Sequence, residues 1–552
     1  MKKFLSKKRY VVTLMLLCLP FLAFDRGERF FEIAKNLDIY ATLFKELNTY
    51  YVDEINPSRA IKTSIDAMLK TFDPYTVYYA EDEIEDYMTM TTGKYSGIGV
   101  SVASRQGKHQ VMMVFEGSPA EKAGMKIGDE ILKIDGIDVV NSAKYDVGTL
   151  LKGQNGTTVK LSVKRYGEAK PQDLVVGRDV VKTGNVHYYG MINDEVGYID
   201  LKDFTATASR EMKDAFKALK DKGMKKLVID LRENPGGLMQ MAIEICNMFV
   251  EKDNLIVSTK GKVTEWNKDY NAMAAAIDTE MPIIAITNSR SASAAEIVAG
   301  TIQDYDRGVL LGQRSFGKGL VQVTRDLSYN AKFKVTTAKY YIASGRCIQA
   351  LDYSHRNTDG SVGKVADSLK TAFKTKNGRT VYDGGGVSPD VEVDKAAAST
   401  VGMNLTIKGL LFEYANKYHF EHPSIKPAKE FALTEAEYQD FVKWLATKDF
   451  TYTTQVEKEM ANLEASAQKE KYLDALQEQL KALKAKIKNQ KVADLQTFKE
   501  EIRASLEEEI IVHYYLQKGT REHSFARDPE IQASLKLFGD MNRYRAILKG
   551  SK

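Results

Sequence analysis

The sequence predicts a multidomain chain of mixed α/β and α+β class: a helical N-terminal region, a small β-rich domain, an α/β core and a helical C-terminal region. Three observations predict it. At 552 residues the chain is too long for one hydrophobic core. Its apolar periodicity changes from helical spacing over 30–92 to strand alternation from 93 to about 165. From about 170 to 400, short apolar runs of strand length alternate with helical stretches, the pattern of a layered α/β unit. The boundaries that follow are 1–24 for a targeting segment, 25–92, 93–170, 171–400 and 401–552.

Residues 1–24 hold Lys2, Lys3, Lys7, Lys8 and Arg9 and no acid, followed by an apolar run from Tyr10 to Phe24. That is the layout of an export signal. The run is short for a membrane span, Pro20 weakens a long helix, and Ala23 lacks a small residue two positions before it. Cys18 follows the bulky Leu17, a poor lipoprotein site. A cleaved signal and an uncleaved inner-membrane anchor both stay open, and an exported, periplasmic location is expected. Beyond this segment 74 basic and 74 acidic residues balance, which speaks against a nucleic-acid binder. Three cysteines make no disulfide framework. Cys246 lies among apolar residues as a buried thiol would, and Cys347 lies in a polar stretch.

Over 30–92 apolar residues recur three and four apart, in FFEIAKNLDIYATLFKELNTYYV and again in PSRAIKTSIDAMLKTF, with Pro57 and Pro74 as punctuation. In the next domain Ile98, Val100 and Val102 alternate, as do Val159, Leu161 and Val163, and Asn155-Gly156 is a tight-turn signal before what reads as the last strand. In the core, Gly197 to Leu201 is a strand, Ser209 to Lys222 a helix, and Lys226 to Leu231 a buried strand whose helix begins near Leu238. The turn between them is Arg232-Glu233-Asn234-Pro235-Gly236-Gly237.

Two segments carry the chemistry. Pro282 to Thr287 is an apolar strand ended by Asn288-Ser289-Arg290-Ser291-Ala292-Ser293, after which Ile297, Val298 and Ile302 follow at helical spacing. A serine at such a corner faces outward at a helix N-terminus, where unpaired backbone N–H groups can hold a developing oxyanion. Ser291 and Ser293 both qualify. The second segment, Ser315 to Gln322, sets Lys318 between Gly317 and Gly319, so that chain can turn sharply and pack closely. All seven histidines lie far from the serines in sequence, and lysine is the alternative base known to work with serine.

These motifs resemble those of the carboxyl-terminal processing peptidases, also called tail-specific proteases, of the Ser–Lys type with an embedded PDZ domain. The family pattern S-A-S-A-x-E-I-V-A-G followed by F-G-K-G-x-V-Q stands here nearly unbroken. The resemblance implies Ser293 as nucleophile, Lys318 as general base and Gln322 as the residue that orients the lysine. It matches Arg232 to Gly237 with the family's R-x-N-x-G-G, which implies a backbone oxyanion donor at Gly236 or Gly237 beside that of Ala294, the choice of glycine staying open. Leu69 to Tyr75 resembles the family's signature ahead of the PDZ domain, and Gly117-Ser118-Pro119-Ala120 with Ala123 to Leu132 resembles the PDZ domain itself. Within it Gly97, Ile98, Gly99 and Val100 would receive a peptide's terminal carboxylate, because glycines expose consecutive N–H groups and the strand edge adds the peptide as an extra strand.

Tyr340 to Arg346 and Gly385 to Val391 are further landmarks, separated here by a polar insertion, Ala350 to Gly384, expected to form a surface loop or small subdomain. In the last 150 residues Leu473, Leu476, Leu480, Leu483 and Ile487 form a heptad seam of two heptads, and Val492, Leu495, Phe498, Ile502 and Leu506 continue an apolar stripe. Packing back on the core is one reading of this region; contact with an adaptor or a second copy is the other. The expected activity is that of an exported serine endopeptidase acting on proteins with free C-termini, the PDZ domain reading the tail and gating the site. A non-catalytic peptide-binding scaffold is the alternative, against which both Ser293 and Lys318 are retained. No P-loop, strand–G-x-G-x-x-G–helix unit, H-E-x-x-H or paired C-x-x-C is present, so no cofactor or metal is expected. Free lysine titrates near ~10.4, so at pH 7 only about one in 2,500 is neutral, and a lysine base needs a site that disfavours its charged form.

Overall fold

The computed structural model describes residues 30–550 apart from 106, 143–144 and 395–397. The expected export segment and its Cys18 lie outside the described residues. No helix among the described residues is long and apolar enough to cross a membrane.

The chain divides into two compact units, one of residues up to Ala80 with Arg325–Lys334, the other of Glu81–Thr324 with Val335–Lys552. In the first, helix α1 (30–50) and helix α2 (Pro57–Lys70) follow the expected periodicity. Asn56 caps α2 by accepting from the Arg59 N–H, and Pro57 takes the first helical turn, where its missing N–H costs nothing. The stretch to 92 is not wholly helical: β1 (Val77–Tyr79) pairs antiparallel with Lys332–Lys334. Pro74 ends the helical pattern, and Asp73, which accepts from the Tyr75 and Thr76 N–H groups, turns the chain into that strand.

The second unit begins with α3 (Ile84–Thr92), ended by Gly93 in the left-handed region. A β domain follows, built from β2 (Lys94–Gly97), β3 (Val100–Arg105), β4 (Lys108–Val114), α4 (Pro119–Lys122), β5 (Glu130–Ile134), β6 (Ile137–Asp138), α5 (Val147–Leu151), β7 (Thr158–Lys164), β8 (Gln172–Gly177) and β9 (Asp179–Lys182). Its sheet runs β3-β4-β5-β7-β8, with β6 on β5, while β9 pairs with β2. The domain therefore extends past 170, and β7 is not its last strand. Gly167 and Pro171 interrupt the alternation, yet Val176 at the far end of β8 joins the same core as Val159, Leu161 and Val163.

The core sheet is β10 (Val186–Met191), β11 (Val196–Leu201), β12 (Lys226–Asp230), β15 (Ile283–Thr287), β16 (Val309–Gly312) and β23 (Val391–Glu392), in that order, parallel except for β10. Between them come α6 (Ala208–Asp221), α7 (Met239–Asn247), β13 (Leu255–Gly261), β14 (Lys268–Asn271) and α8 (Ala294–Asp304). After β16 come β17 (Leu320–Asp326) and β18 (Lys332–Ile342), then the insertion's two hairpins, β19 (Leu351–Arg356) with β20 (Val362–Lys364) and β21 (Ala372–Lys374) with β22 (Thr380–Tyr382).

Strand alternation gives the sheet two apolar faces. Ile199, Leu201, Leu227, Ile229, Ile283 and Ala285 pack against α6, α7 and α8. Tyr198, Val228, Ile284 and Ile286 point the other way, and the C-terminal helices cover them. These are α9 (Thr400–Ile407), α10 (Leu410–Glu421), α11 (Glu435–Leu445), α12 (Gln455–Lys469), α13 (Leu473–Thr497), α14 (Lys499–Ser524), α15 (Pro529–Gly539) and α16 (Met541–Leu548). Phe525, Ile531, Leu537, Phe538 and Tyr544 close that face. The end of the 401–552 region is thus the second layer of the core, while α9, α10, α11 and α14 enclose an apolar core of their own. In the heptad seam Leu480 is buried and Leu483 exposed.

Candidate active site

β15 lies in the middle of the sheet and is wholly buried. The turn after it treats its two serines differently. The Ser291 hydroxyl accepts from the Asn288 N–H at 2.9 Å and donates to the Leu231 carbonyl at 2.7 Å. It is fully buried and ties the turn to the end of β12. Ser293 is only half-buried and caps α8 with φ 54° and ψ −114°, a strained conformation for a residue with a side chain. Such strain, about 1–3 kcal/mol, persists only where the surroundings enforce it.

The enforcing contact is a carboxylate. Glu296, one turn into α8 and fully buried, accepts from the Ser293 N–H at 2.8 Å. The same Oε2 accepts from the Lys318 N–H at 2.9 Å, while Oε1 accepts from Gly317 N–H at 2.7 Å and the Ser315 hydroxyl at 2.5 Å. The Tyr340 hydroxyl then lies 2.6 Å from the Lys318 carbonyl and 3.1 Å from that of Ser293, and shares its proton between them. One oxygen and one hydroxyl therefore bring the backbones of Ser293 and Lys318 together from opposite sides. Gly317 has φ 89°, and a Cβ there would stand 2.4 Å from that of Ala350, so the lysine loop closes only with glycine. Lys318 is half-buried. Gln322, on β17, donates its amide to Thr336 Oγ1 at 3.1 Å.

The glycine turn packs on the serine turn. Its Asn234 is fully buried, donating from Nδ2 to the Leu201 carbonyl at 2.7 Å and accepting the Gly236 N–H on Oδ1 at 2.8 Å. The Asn234 carbonyl also accepts from the Ala292 N–H at 2.9 Å. Gly236 has φ 98°, and a Cβ there would meet Ser293 Cβ at 2.8 Å and Ala294 N at 2.9 Å. The two glycines thus differ. Gly236 is buried with its N–H engaged; Gly237 is exposed, and among the described residues neither its N–H nor that of Ala294 has a hydrogen-bond partner.

None of the seven histidines hydrogen-bonds to Ser293. His187 sits on β10, three strands from β15, which is about 14 Å at the spacing of strands in a sheet.

Glu296, Tyr340 and Asn234 were not singled out from the sequence. Glu296 had a signal there, since Ser293-x-x-Glu296 before an apolar run has the form of a capping box. Burial pushes its carboxyl up to about 7, against the pull of the Ser315 hydroxyl and of the Lys318, Gly317 and Ser293 N–H groups. The folded pKa stands above the unfolded one. The stability this group contributes is therefore full below about pH 4.5 and lost as the pH rises through about 7, at most about 3 kcal/mol. Glu296→Gln should flatten that dependence in urea unfolding followed from pH 5 to 8. It should also destabilise at every pH, because an NH₂ group must face N–H donors on one side or the other. An unchanged pH slope would assign the dependence elsewhere.

In the β domain a cavity of about 430 Å³ lies between β3 and α5, lined by Ile98, Gly99, Val100, Val102, Val147 and Leu151, with Tyr95 and Lys152 also on its wall. Gly99 has φ 83°, and its N–H has no partner among the described residues. Gly97 does not line the cavity: it pairs with Asp179 between β2 and β9, which takes it out of the expected carboxylate loop. Lys152 is paired with Asp86 of α3 at 2.7 Å.

Three segments match known families: residues 96–176 a PDZ domain, 195–354 "Peptidase family S41", and 401–538 "Probable PDZ-protease, C-terminal helical domain". The carboxy-terminal-processing protease of Bartonella bacilliformis is 34% identical over 321 residues, covering 57% of this chain and 73% of that protein. The carboxy-terminal processing protease CtpA of Bacillus subtilis is 31% identical over 308 residues, covering 55% and 65%. Among solved structures, a photosystem II D1 C-terminal processing protease aligns at 26% identity over 64% of this chain and 86% of that one, with a TM-score of 0.35. A PDZ domain thus precedes a peptidase core and a helical C-terminal domain, and the chain belongs to the carboxy-terminal-processing proteases of peptidase family S41.

Proposed function

We propose that the chain is an exported serine endopeptidase that cleaves proteins at or near their C-termini with a Ser293–Lys318 dyad, its PDZ domain taking the free tail. The observation that carries this reading is the shared anchorage of the two residues: Glu296 Oε2 holds both N–H groups and the Tyr340 hydroxyl both carbonyls. Neutral Lys318 takes the proton of Ser293 Oγ as that oxygen attacks the scissile carbonyl. The tetrahedral oxyanion is held by the N–H groups of Gly237 and Ala294, the two left without partners, with the positive end of α8 behind them. Lys318 then gives its proton to the leaving amine, and water, activated by the same lysine, hydrolyses the acyl-enzyme. Gln322, itself held by Thr336, orients the lysine. Export rests on the basic and apolar layout of residues 1–24.

The cavity at Ile98, Gly99 and Val100 would take the tail's carboxylate on backbone N–H groups and its apolar side chain among Val100, Val147 and Leu151. The test uses the full chain and a protein substrate with an apolar C-terminus, free or amidated, with fragments identified by mass spectrometry. The free tail should bind at least about tenfold more tightly, since a charge-assisted contact is lost on amidation. Cleavage should fall near that end. Equal binding of the two tails would refute tail reading, and binding with no cleavage would favour the scaffold alternative.

A further inference from the structure

The Arg232 side chain stands at the centre of a charged cluster beside the site. It opens the glycine turn, two residues before Asn234, and its guanidinium is held on two sides. Nε and Nη2 donate to Asp230, at the end of β12, at 3.0 and 2.6 Å. Nη1 and Nη2 donate to the two oxygens of Asp528 at 3.1 and 2.8 Å, a two-pronged pair, and Nη1 also donates to Glu530 at 3.1 Å. The side chains of Arg232, Asp528 and Glu530 are 13%, 12% and 10% exposed, so solvent screens these pairs little. Burial alone would lower the Arg232 pKa, but Asp230 and Asp528 outweigh it and keep the guanidinium charged. Asp230 likewise stays below the usual carboxylate range because Arg232 overcomes its burial.

Two of these three carboxylates come from the C-terminal helical domain, whose end forms the second layer on the sheet, and not from the strands and turns of the peptidase segment. Asp528 caps α15, accepting from the N–H groups of Glu530 and Ile531, and Glu530 lies in that helix's first turn. The other end of Arg232 is fixed as well, since Lys202 Nζ donates to its carbonyl at 2.7 Å. Beyond it Glu233 is held in the left-handed region at φ 61°, and Asn234 engages the Gly236 N–H, which leaves that of Gly237 as the outward donor. A cavity of about 380 Å³ borders the clamp, lined by Arg232, Glu233, Asn288, Asp528 and Glu530 among others, so a slackened Arg232 has room to shift.

We infer that Asp528 and Glu530 of the C-terminal helical domain are positioning residues for catalysis, holding through Arg232 the turn that carries the Gly237 oxyanion donor. The inference rests on the acyl-transfer reading above and adds to it a domain that reading did not use. Loss of an oxyanion donor costs about 10²–10³ in kcat, and a donor set loose rather than removed costs less.

The test uses the full chain. Asp528→Asn keeps an oxygen to cap α15 but gives up the charge and the two-pronged pair. It should lower kcat about tenfold or more, with KM within about twofold and tail binding nearly unchanged, in protein that stays folded at the assay temperature. Glu530→Gln, which leaves the Asp528 pair intact, should show the same split at smaller amplitude, and it decides the matter if Asp528→Asn folds poorly. In an Arg232→Lys background, already slack, Asp528→Asn should cost little more. A kcat within twofold of wild type, a change confined to KM, or losses that multiply in the double variant would each overturn the inference. Ser293→Ala separates this failure from that of the underlying reading: if that variant still cleaves, the acyl-transfer mechanism itself falls.

Discussion

Replacing Ser293 by Ala should abolish peptidase activity, a loss in kcat on the order of 10⁴-fold or more, while the fold and tail binding stay intact. The reasons lie in the surroundings. Ser293 is half-buried, so removing one hydroxyl leaves almost no cavity, and its strained backbone is fixed through its N–H and carbonyl by Glu296 and Tyr340. Alanine keeps both bonds. Ser291→Ala makes the contrast. There the hydroxyl is fully buried and satisfies both Asn288 N–H and the Leu231 carbonyl, so its loss strands two polar groups and costs about 1–3 kcal/mol for each that stays unpaired. That variant should unfold at lower denaturant and lose activity only in part. Activity assays alongside urea unfolding of both variants separate the cases. Full activity in Ser293→Ala, or loss of chemistry confined to a normally stable Ser291→Ala, would reverse the assignment.

The contrast also shows what the sequence could and could not convey. Strands such as Pro282–Thr287 and Lys226–Leu231 were legible because apolar runs of that length bounded by turn residues have few alternative structures, and β15 and β12 fall there. The pairing of a serine corner with a glycine-flanked lysine was legible as motif. What the residues alone could not say, leaving the choice of Ser293 to the family resemblance, is which hydroxyl is spent on structure, because that depends on Leu231, sixty residues away in the chain. The same holds for the two glycines of Arg232–Gly237: only the Asn234 side chain, anchored on Leu201, distinguishes an engaged Gly236 N–H from an open Gly237. The role of the last helices was hidden for a related reason. An apolar stripe announces that a helix face is covered, not what covers it, and Phe525, Ile531 and Phe538 find their partners on Tyr198 and Ile284 more than two hundred residues earlier. Short strands such as β1 have too few residues for any periodicity to register.

Lys318→Ala should remove nearly all activity, on the order of 10³-fold or more in kcat/KM, and Lys318→Arg should not restore it. Several ties that hold the loop run through backbone: the Lys318 N–H to Glu296, its carbonyl to Tyr340, Gly317 N–H to Glu296, Gly319 N–H to Gln349, and the Gly317 and Gly319 carbonyls from the Ala350 and Tyr340 N–H groups. Substitution at 318 leaves these backbone ties in place, and urea unfolding of Lys318→Ala beside the assay separates loss of the base from a displaced loop. Arginine retains the charge but cannot give up its proton in any accessible range, whereas a neutral amine must accept one from Ser293. For the wild-type enzyme kcat/KM should climb with pH along a one-proton limb as Lys318 becomes neutral, and that limb should vanish from the residual activity of Lys318→Ala. Gln322→Ala should be milder, since its amide is held by Thr336 and it would disturb orientation alone. His187→Ala should leave the rate near wild type, because three strand spacings separate β10 from β15. An active Lys318→Arg, or a His187→Ala that abolishes the rate, would refute the dyad. The pH profile would then show it, since an imidazole base bends the limb far below a lysine's range, and burial pushes His187 lower still.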